Sequence, residues 1–445
     1  MESRIYLVSL GCDKNRVDGE IMIGTLRGAG YNVVNQPANA DIIIVNTCGF
    51  IREAVSESID LVLELAAYKK EGDCRGLIVV GCMAERYRKE MSETLPEADA
   101  IIGVGEYDNI VSTVDGILGI KATRRENSAD PYLTRLAART DDAVPHVAYV
   151  KISEGCDNRC AYCTIPAIRG PYKSRGIESI LEECRMLVSA GAKELVFVAQ
   201  DTALYGKDIF GEPKLPTLLR KVAETSGADW IRLMYAYPEH ITDELISAMA
   251  ELPQVCEYID MPIQHSEDSI LTRMGRAGNK KAIEQTIRKL RENIPDISIR
   301  TTLMVGFPGE TAEDFRRLFD FAGNVRFDRL GVFPFSREAG TPAATMPQQV
   351  REEVKIKRLN RIMGLQQKIH FSKQHGFIGK TIPVIVDTPD ESGGYAGRTR
   401  YDAYEVDAVV RFTSRSRLSP GQILAVKITD QDGYDLRGEA NELAE

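Results

Sequence analysis

Short apolar runs alternate with amphipathic stretches over residues 1 to about 118. Residues 5–9 read as a strand, and 17–27 as a helix closed by Gly28 and Gly30. Residues 41–46 form a second strand, apolar along its length, as expected of a parallel strand covered on both faces. Residues 51–70 are a helix with Ile51, Ala54, Val55, Ile59, Val62, Leu63 and Ala66 on one side. Residues 77–80 and 100–104 are further strands, and a helix spans about 109–117. This alternation predicts an open, doubly wound parallel sheet.

Residues 119–146 are polar, Pro-bearing and weakly periodic, and read as a linker. Candidate strands follow at 148–152, 194–199, 231–236, 258–263, 299–305 and 330–335, separated by helical stretches such as 179–190 and 280–293. Six β-α units predict a partial parallel β/α barrel, whose chemistry sits at the C-terminal strand ends. Polar or Gly-rich segments stand there: 200–202, 237–240, 264–265, 306–310 and Ser336. A charged helix over 348–375 carries Val350, Val354, Leu359, Ile362, Leu365 and Ile369 as packing positions. From residue 380 the pattern turns all-β, with runs at 381–386, 396–400, 408–413 and 422–429, which predicts a small barrel. The expected fold class is α/β multidomain. Its domains are 1–118, the linker 119–146, 147–375 with the trailing helix, and 376–445.

The chain is 43% hydrophobic and 27% charged, and no run approaches the roughly 20 apolar residues of a membrane span. The first residues enter a strand-like run without a basic leader, so no signal peptide is expected. The nine Cys then suggest metal or redox chemistry in the cytoplasm rather than disulfides. The net charge of −9 suits a basic partner better than a phosphate backbone.

Candidate chemistry concentrates in Cys156-x3-Cys160-x2-Cys163, just after the strand at 148–152. Three thiolates within eight residues suit zinc or an iron–sulfur cluster. A closed zinc site takes four ligands, and no fourth Cys follows at short spacing; the nearest upstream candidate, His146, precedes the strand. A four-iron cluster held by three Cys keeps one iron for a small molecule. Three more cysteines follow successive strands: Cys12, Cys48 and Cys82, each beside a glycine. Ligand sites in open α/β sheets lie beyond the carboxyl strand ends, so these three are candidates for a second cluster, or else are small residues at tight turns. Cys74, Cys184 and Cys256 lack such spacing and read as idle buried thiols.

The three-plus-two spacing, with Tyr162 between the last two cysteines, resembles the radical S-adenosylmethionine superfamily. Over nearly its whole length the chain resembles the methylthiotransferase family. The phrases that carry this are 8–18, 46–51 with Glu57-Ser58, 199–202, 258–265, 300–311 and 331–336. They are similar to the RimO-like branch, which modifies an aspartate of small-subunit ribosomal protein twelve. The alternatives are the MiaB-like branch, which modifies adenosine in transfer RNA, and a non-enzymatic iron–sulfur RNA-binding module.

The resemblance implies two 4Fe-4S clusters and S-adenosylmethionine as cofactors, and a C-terminal TRAM barrel. Cys156, Cys160 and Cys163 would hold the radical-generating cluster. Cys12, Cys48 and Cys82 would hold an auxiliary cluster that carries the sulfur to be donated. Gln200, Asp201, Gly306, Gly309 and Glu310 stand where the superfamily contacts S-adenosylmethionine, with a turn or capping role as the alternative for each. His265 is expected to be a packed, hydrogen-bonded imidazole. No catalytic side chain beyond the clusters is assigned. The electron donor would be of the flavodoxin or ferredoxin kind.

Residues 380–445 carry eight Lys or Arg against twelve Asp or Glu. That balance predicts docking of a basic ribosomal protein through Asp402, Glu405 and Asp407, with no stable grip on nucleic acid.

Overall fold

The computed structural model describes residues 3–120, 130–133, 146–390 and 393–441. Most of the predicted linker lies outside them. The chain forms two compact units: Met1–Val144, Tyr149–Asp157 and Cys163–Ala190 make the first, and Pro145–Ala148, Asn158–Tyr162 and Gly191–Glu445 the second. Among the described residues no helix is long and apolar enough to cross a membrane.

The first unit contains a five-stranded parallel sheet built from β1 (Arg4–Ser9), β2 (Asn32–Val33), β3 (Ile42–Thr47), β4 (Gly76–Gly81) and β5 (Ala100–Ile102). Its order is β2-β1-β3-β4-β5. β3 and β4 are buried throughout. Ile42, Ile44, Ile78 and Val80 join Met22, Leu26 and Val114 in one core, while Ile43, Val45, Leu77 and Val79 join Val62 and Leu65 in another. Period-two alternation within a continuous apolar run is what a sheet covered on both faces requires.

The first helix begins at Asp13, earlier than its apolar pattern suggests. Its opening turns bury Lys14, Asn15 and Asp18, which no hydropathy pattern marks as interior. β2 was also not foreseen, because two residues are too short to show a period.

The chain passes between the units within β6 (Val147–Lys151). A small antiparallel pair in the first unit, β7 (Ser153–Glu154) and β8 (Lys173–Ser174), had no sequence signal. The second unit adds β9 (Glu194–Val198), β10 (Trp230–Leu233), β11 (Val255–Asp260), β12 (Ser298–Val305) and β13 (Arg329–Pro334). The sheet order is β13-β12-β11-β10-β9-β6, and neighbours from β9 to β13 are parallel, as a partial β/α barrel requires.

The trailing helix Glu352–His375 packs differently from expectation. Of the predicted positions, Ile362 and Ile369 are buried, whereas Val350, Val354, Leu359 and Leu365 are only half-buried. The interior side includes Lys355, Arg358, Gln366, His370 and Gln374. Each polar head meets a fixed partner: Lys355 Nζ donates to Phe335 O at 2.7 Å and Gln366 Nε2 to Phe327 O at 3.0 Å. Arg358 pairs with Glu310 at 3.0 Å. The helix is thus fixed to loops by hydrogen bonds as well as by apolar packing.

The C-terminal module is a closed barrel of order β14-β15-β16-β18-β17. Its strands are β14 (Thr381–Pro389), β15 (Tyr395–Thr399), β16 (Val410–Thr413), β17 (Ile423–Asp432) and β18 (Asp435–Ala440). Val384, Val386, Phe412, Val426, Ile428 and Leu436 fill it. β18 was absent from the predicted strands.

This module meets the N-terminal halves of the β9–β13 strands, away from the ends expected to carry chemistry. A chain of polar and charged side chains, buried around Glu194, Arg232 and Arg398, makes the contact. Arg232 Nε donates to Glu194 Oε1 at 2.5 Å, and Arg398 pairs with the other oxygen of Glu194 at 2.8 Å. Arg398 also donates to Asp387 at 2.8 and 3.0 Å, and Asp387 in turn pairs with His146 at 2.7 Å. Arg400 reaches Glu257 at 2.6 Å and the carbonyl of Val255 at 2.7 Å.

The docking role expected of Asp402 and Asp407 needs correction. Asp402 is buried against Arg329 and accepts from Thr399 Oγ1 at 2.6 Å. Asp407 accepts from Tyr258 OH at 2.8 Å and from Ala403 N at 2.9 Å. Only Glu405 is exposed. The net charge of a segment does not say which acids face inward. Asp402→Lys should cost about 3 kcal/mol or more, because it removes the partner of the largely buried Arg329, and Asp407→Lys a comparable amount, because it takes the acceptor from the buried Tyr258 hydroxyl and sets a second cation beside Arg300. Glu405→Lys should stay within about 0.5 kcal/mol. Guanidinium unfolding of the three variants separates these outcomes.

Candidate functional site

The first cysteine trio stands at the carboxyl ends of three adjacent strands, β1, β3 and β4. Cys12 precedes the helix Asp13–Gly28, and Cys82 opens the helix Cys82–Arg86. Helix N-termini favour a thiolate through their aligned N–H groups. Glycines bring the three close. Gly11 has φ +88°, and a Cβ there would lie 3.0 Å from the sulfur of Cys48. A Cβ at Gly49 would lie 2.8 Å from the backbone of Cys82.

Buried amides brace the turns. Asn15 Nδ2 donates to the carbonyls of Leu10 and Thr47, each at 3.0 Å. Asn46 Nδ2 donates to Asn15 O at 2.7 Å. Ser58 Oγ accepts from Cys48 N at 3.1 Å. Burial pushes the Cys48 thiol up and the Cys82 thiol up to about 11, although Arg169 pulls both the other way. Arg169 Nη2 donates to Cys82 Sγ at 3.2 Å. Three thiols at adjacent strand ends suit an iron–sulfur group, and the glycine-lined approach leaves room for its bulk. Among the described residues, no three His, Cys, Asp or Glu side chains gather around one point as a single ion requires.

The second trio lies on the loop after β6, which belongs in part to each unit. In the first unit, Cys156 N donates to Gly170 O at 3.1 Å and Cys163 Sγ accepts from Ile165 N at 3.4 Å. Gly155 has φ +73°, and a Cβ there would lie 2.0 Å from Pro171 O, so the loop needs glycine at this place. In the second unit, Cys160 Sγ lies 3.3 Å from Tyr237 OH. Burial and the neighbouring Cys160 hold the Tyr237 phenol well above its ordinary range, so it stays protonated beside the sulfur. Ala161 N donates to Met274 O at 2.8 Å, and Tyr162 stands edge-on to Phe307.

The remaining candidates lie at the C-terminal ends of the barrel strands. Gln200 is half-buried after β9. Asp201 is fully buried and meets His240 Nδ1 at 2.6 Å and Asn158 Nδ2 at 3.2 Å. Glu310 folds back on its own loop, accepting from Gly306 N and, at 3.1 Å, from Phe307 N. Burial raises it to about 7, with Arg358 opposing. Gly306 and Gly309 both have positive φ; a Cβ would meet the Lys355 side chain at one and the Arg273 guanidinium at the other.

His265 is fully buried and accepts from Glu267 N at 3.0 Å. Burial lowers it to about 3, so it is a neutral, packed imidazole. Cys74, Cys184 and Cys256 are buried, as expected of idle thiols. Functional reading of the sequence had no role for Asn15, Asp18, Lys151, Glu154 and Arg169, which converge beside Cys82. Charged residues in the inward turn of a helix and inside a buried strand were the available signal.

Comparison with known proteins supplies the family. Residues 4–103 match uncharacterized protein family UPF0004, 150–322 the radical SAM superfamily and 378–440 the TRAM domain. A relative from Desulforamulus reducens, named ribosomal protein uS12 methylthiotransferase RimO, is 49% identical over 442 residues, covering 98% of this chain and 99% of its own. A relative of the same name from Geobacter sulfurreducens is 45% identical, covering 98% of each chain. Among solved structures, the radical S-adenosylmethionine methyltransferase TsrM from Kitasatospora setae matches with a TM-score of 0.58 at 15% identity, covering 77% of this chain and 74% of that one. At that identity the likeness speaks for the fold.

Proposed function

The chain belongs to the ribosomal protein uS12 methylthiotransferase (RimO) family, and from that premise we propose how its residues serve the reaction. It is a radical S-adenosylmethionine enzyme that replaces a hydrogen on the β-carbon of an aspartate of uS12 with a methylthio group. The observation that carries this reading is the pair of cysteine trios: one at three adjacent strand ends of the first sheet, one on the loop after β6.

When bound, two 4Fe-4S clusters and S-adenosylmethionine supply the one-electron chemistry, the sulfur and the methyl group. The chain's own residues supply the rest. Cys156, Cys160 and Cys163 hold the radical-generating cluster, and Cys12, Cys48 and Cys82 the auxiliary one. The Tyr237 hydroxyl fixes the Cys160 sulfur by hydrogen bonding, and Gly155 lets the loop close onto Gly170 and Pro171. Gln200, Asp201, Gly306, Gly309 and Glu310 shape the S-adenosylmethionine site. Asp201 holds neighbouring loops through His240 and Asn158, and Glu310 holds its own loop through the N–H groups of Gly306 and Phe307. A side-chain base cannot ionise an unactivated carbon–hydrogen bond at useful cost, so no side chain of this chain is assigned that proton.

The electron comes from a donor of the flavodoxin or ferredoxin class, and the enzyme works in the cytoplasm. The C-terminal module acts as a handhold remote from the reacting carbon. With Asp402 and Asp407 engaged in internal pairs and a TRAM match favouring RNA-binding ability, its net charge no longer argues against contact with nucleic acid.

Mass spectrometry of uS12 from cells with and without this protein tests the assignment. The expected result is one methylthiolated aspartate, present only with the protein, and unchanged transfer-RNA adenosines. Loss of the methylthio group from transfer RNA, with uS12 unaffected, would replace this reading with the MiaB-like one.

A further inference from the structure

Four charges, buried except for the partly exposed Glu154, link the two cysteine-bearing segments of the first unit. Arg169 Nη1 donates to Asp18 Oδ2 at 3.1 Å and to the two oxygens of Glu154 at 3.1 and 3.0 Å. Lys151 Nζ donates to Asp18 and, at 2.5 Å, to Glu154. Two carboxylates balance two cations, so Arg169 needs no further acceptor for charge. Its second prong is nonetheless turned away from them, donating to Asn15 Oδ1 at 2.6 Å and to Cys82 Sγ at 3.2 Å. The Arg169 side chain is only 1% exposed, and Val104 and Ile168 pack beside Cys82. A charge-assisted hydrogen bond in such surroundings is stronger than one in water.

The backbone of Arg169 adds a second link. It ends the helix Ile165–Arg169, whose first N–H faces the sulfur of Cys163. The next residue, Gly170, accepts the N–H of Cys156 at 3.1 Å. One short segment therefore touches two ligands of the second trio through its backbone and one ligand of the first through its side chain.

We infer that Arg169 is a positioning residue that fixes the Cys82 sulfur and raises the reduction potential of the auxiliary cluster, while tying that cluster to the loop of the radical-generating one. This rests on the reading of Cys82 as a cluster ligand. Hydrogen bonds and positive charge at a ligating sulfur stabilise the more negative, reduced cluster.

The test is an EPR-monitored redox titration in a background in which Cys156, Cys160 and Cys163 are Ala, so that a single cluster is read. Arg169→Gln should make that cluster about tenfold harder to reduce, a shift of 59 mV for a one-electron couple. Arg169→Lys, which keeps the charge, should fall between Gln and wild type. Iron lost from Arg169→Gln but kept by Arg169→Lys also supports the inference, as does loss from both with the melting temperature unchanged. An unaltered potential at full iron content overturns it. So does loss of iron from both variants together with a lowered melting temperature, which makes Arg169 a residue of the fold alone. If the parent background takes up no cluster at all, the assignment of the first trio itself fails.

Discussion

Replacing Cys156, Cys160 and Cys163 by Ala should reduce cleavage of S-adenosylmethionine to background and remove about half of the bound iron, since one of two four-iron clusters is lost. Replacing Cys12, Cys48 and Cys82 should remove the other half and leave cleavage in place, but transfer no sulfur. The two effects separate because each trio has its own turns to hold it, although the Arg169 side chain links them at Cys82. The first rests on strand ends and on Asn15, Asn46 and Ser58; the second on the loop from Gly155 to Gly170. Changing Cys74, Cys184 and Cys256 together should leave iron content nearly unaltered, because none stands at the carboxyl end of a strand: Cys74 precedes β4, Cys184 lies within the helix Ile177–Ser189 and Cys256 within β11. Iron analysis and a cleavage assay on the three proteins decide the matter. Equal loss of all iron from both triple variants would contradict this assignment of ligands.

The second large effect concerns stability. Glu194→Gln should destabilise the second unit by about 3–5 kcal/mol at neutral pH, because Arg232 and Arg398 would be left buried without their shared carboxylate. Burial alone would raise Glu194; the two guanidinium groups more than reverse that and hold it at about 2. Its folded value therefore lies below its unfolded one. The stabilisation is complete above the unfolded value, near 4.5, and is lost as pH falls through 2. The gap between wild type and Glu194→Gln should stay constant from neutral pH to about 4.5 and narrow below it. Guanidinium unfolding across that range measures the gap. A gap that widens on acidification would mean that Glu194 is protonated in the folded protein.

The apolar runs announce β1, β3 and β4 directly, and with them the places of Cys12, Cys48 and Cys82. Cys156, Cys160 and Cys163 are legible from spacing alone. What stayed hidden shares one property: it is polar and buried. Lys355, Arg358, Gln366 and Gln374 look like the solvent side of a helix until the loops that accept their hydrogen bonds are in place. Asn15, Asp18 and Arg169 look like surface residues for the same reason, and Arg169 meets its partners across 151 and 154 positions of sequence. The acidic balance of the C-terminal module misled because a sum of charges carries no direction; Asp387, Asp402 and Asp407 face inward toward Arg398, Arg329 and Tyr258.

The most direct test of the whole account uses purified, cluster-loaded protein, uS12, a reductant and S-adenosylmethionine labelled in its methyl group. Peptide mapping should place one labelled methylthio group on the β-carbon of a single aspartate of uS12. The protein with Cys12, Cys48 and Cys82 replaced by Ala should leave that aspartate unmodified. Label found on a nucleoside of added transfer RNA, with uS12 unmodified, would contradict it.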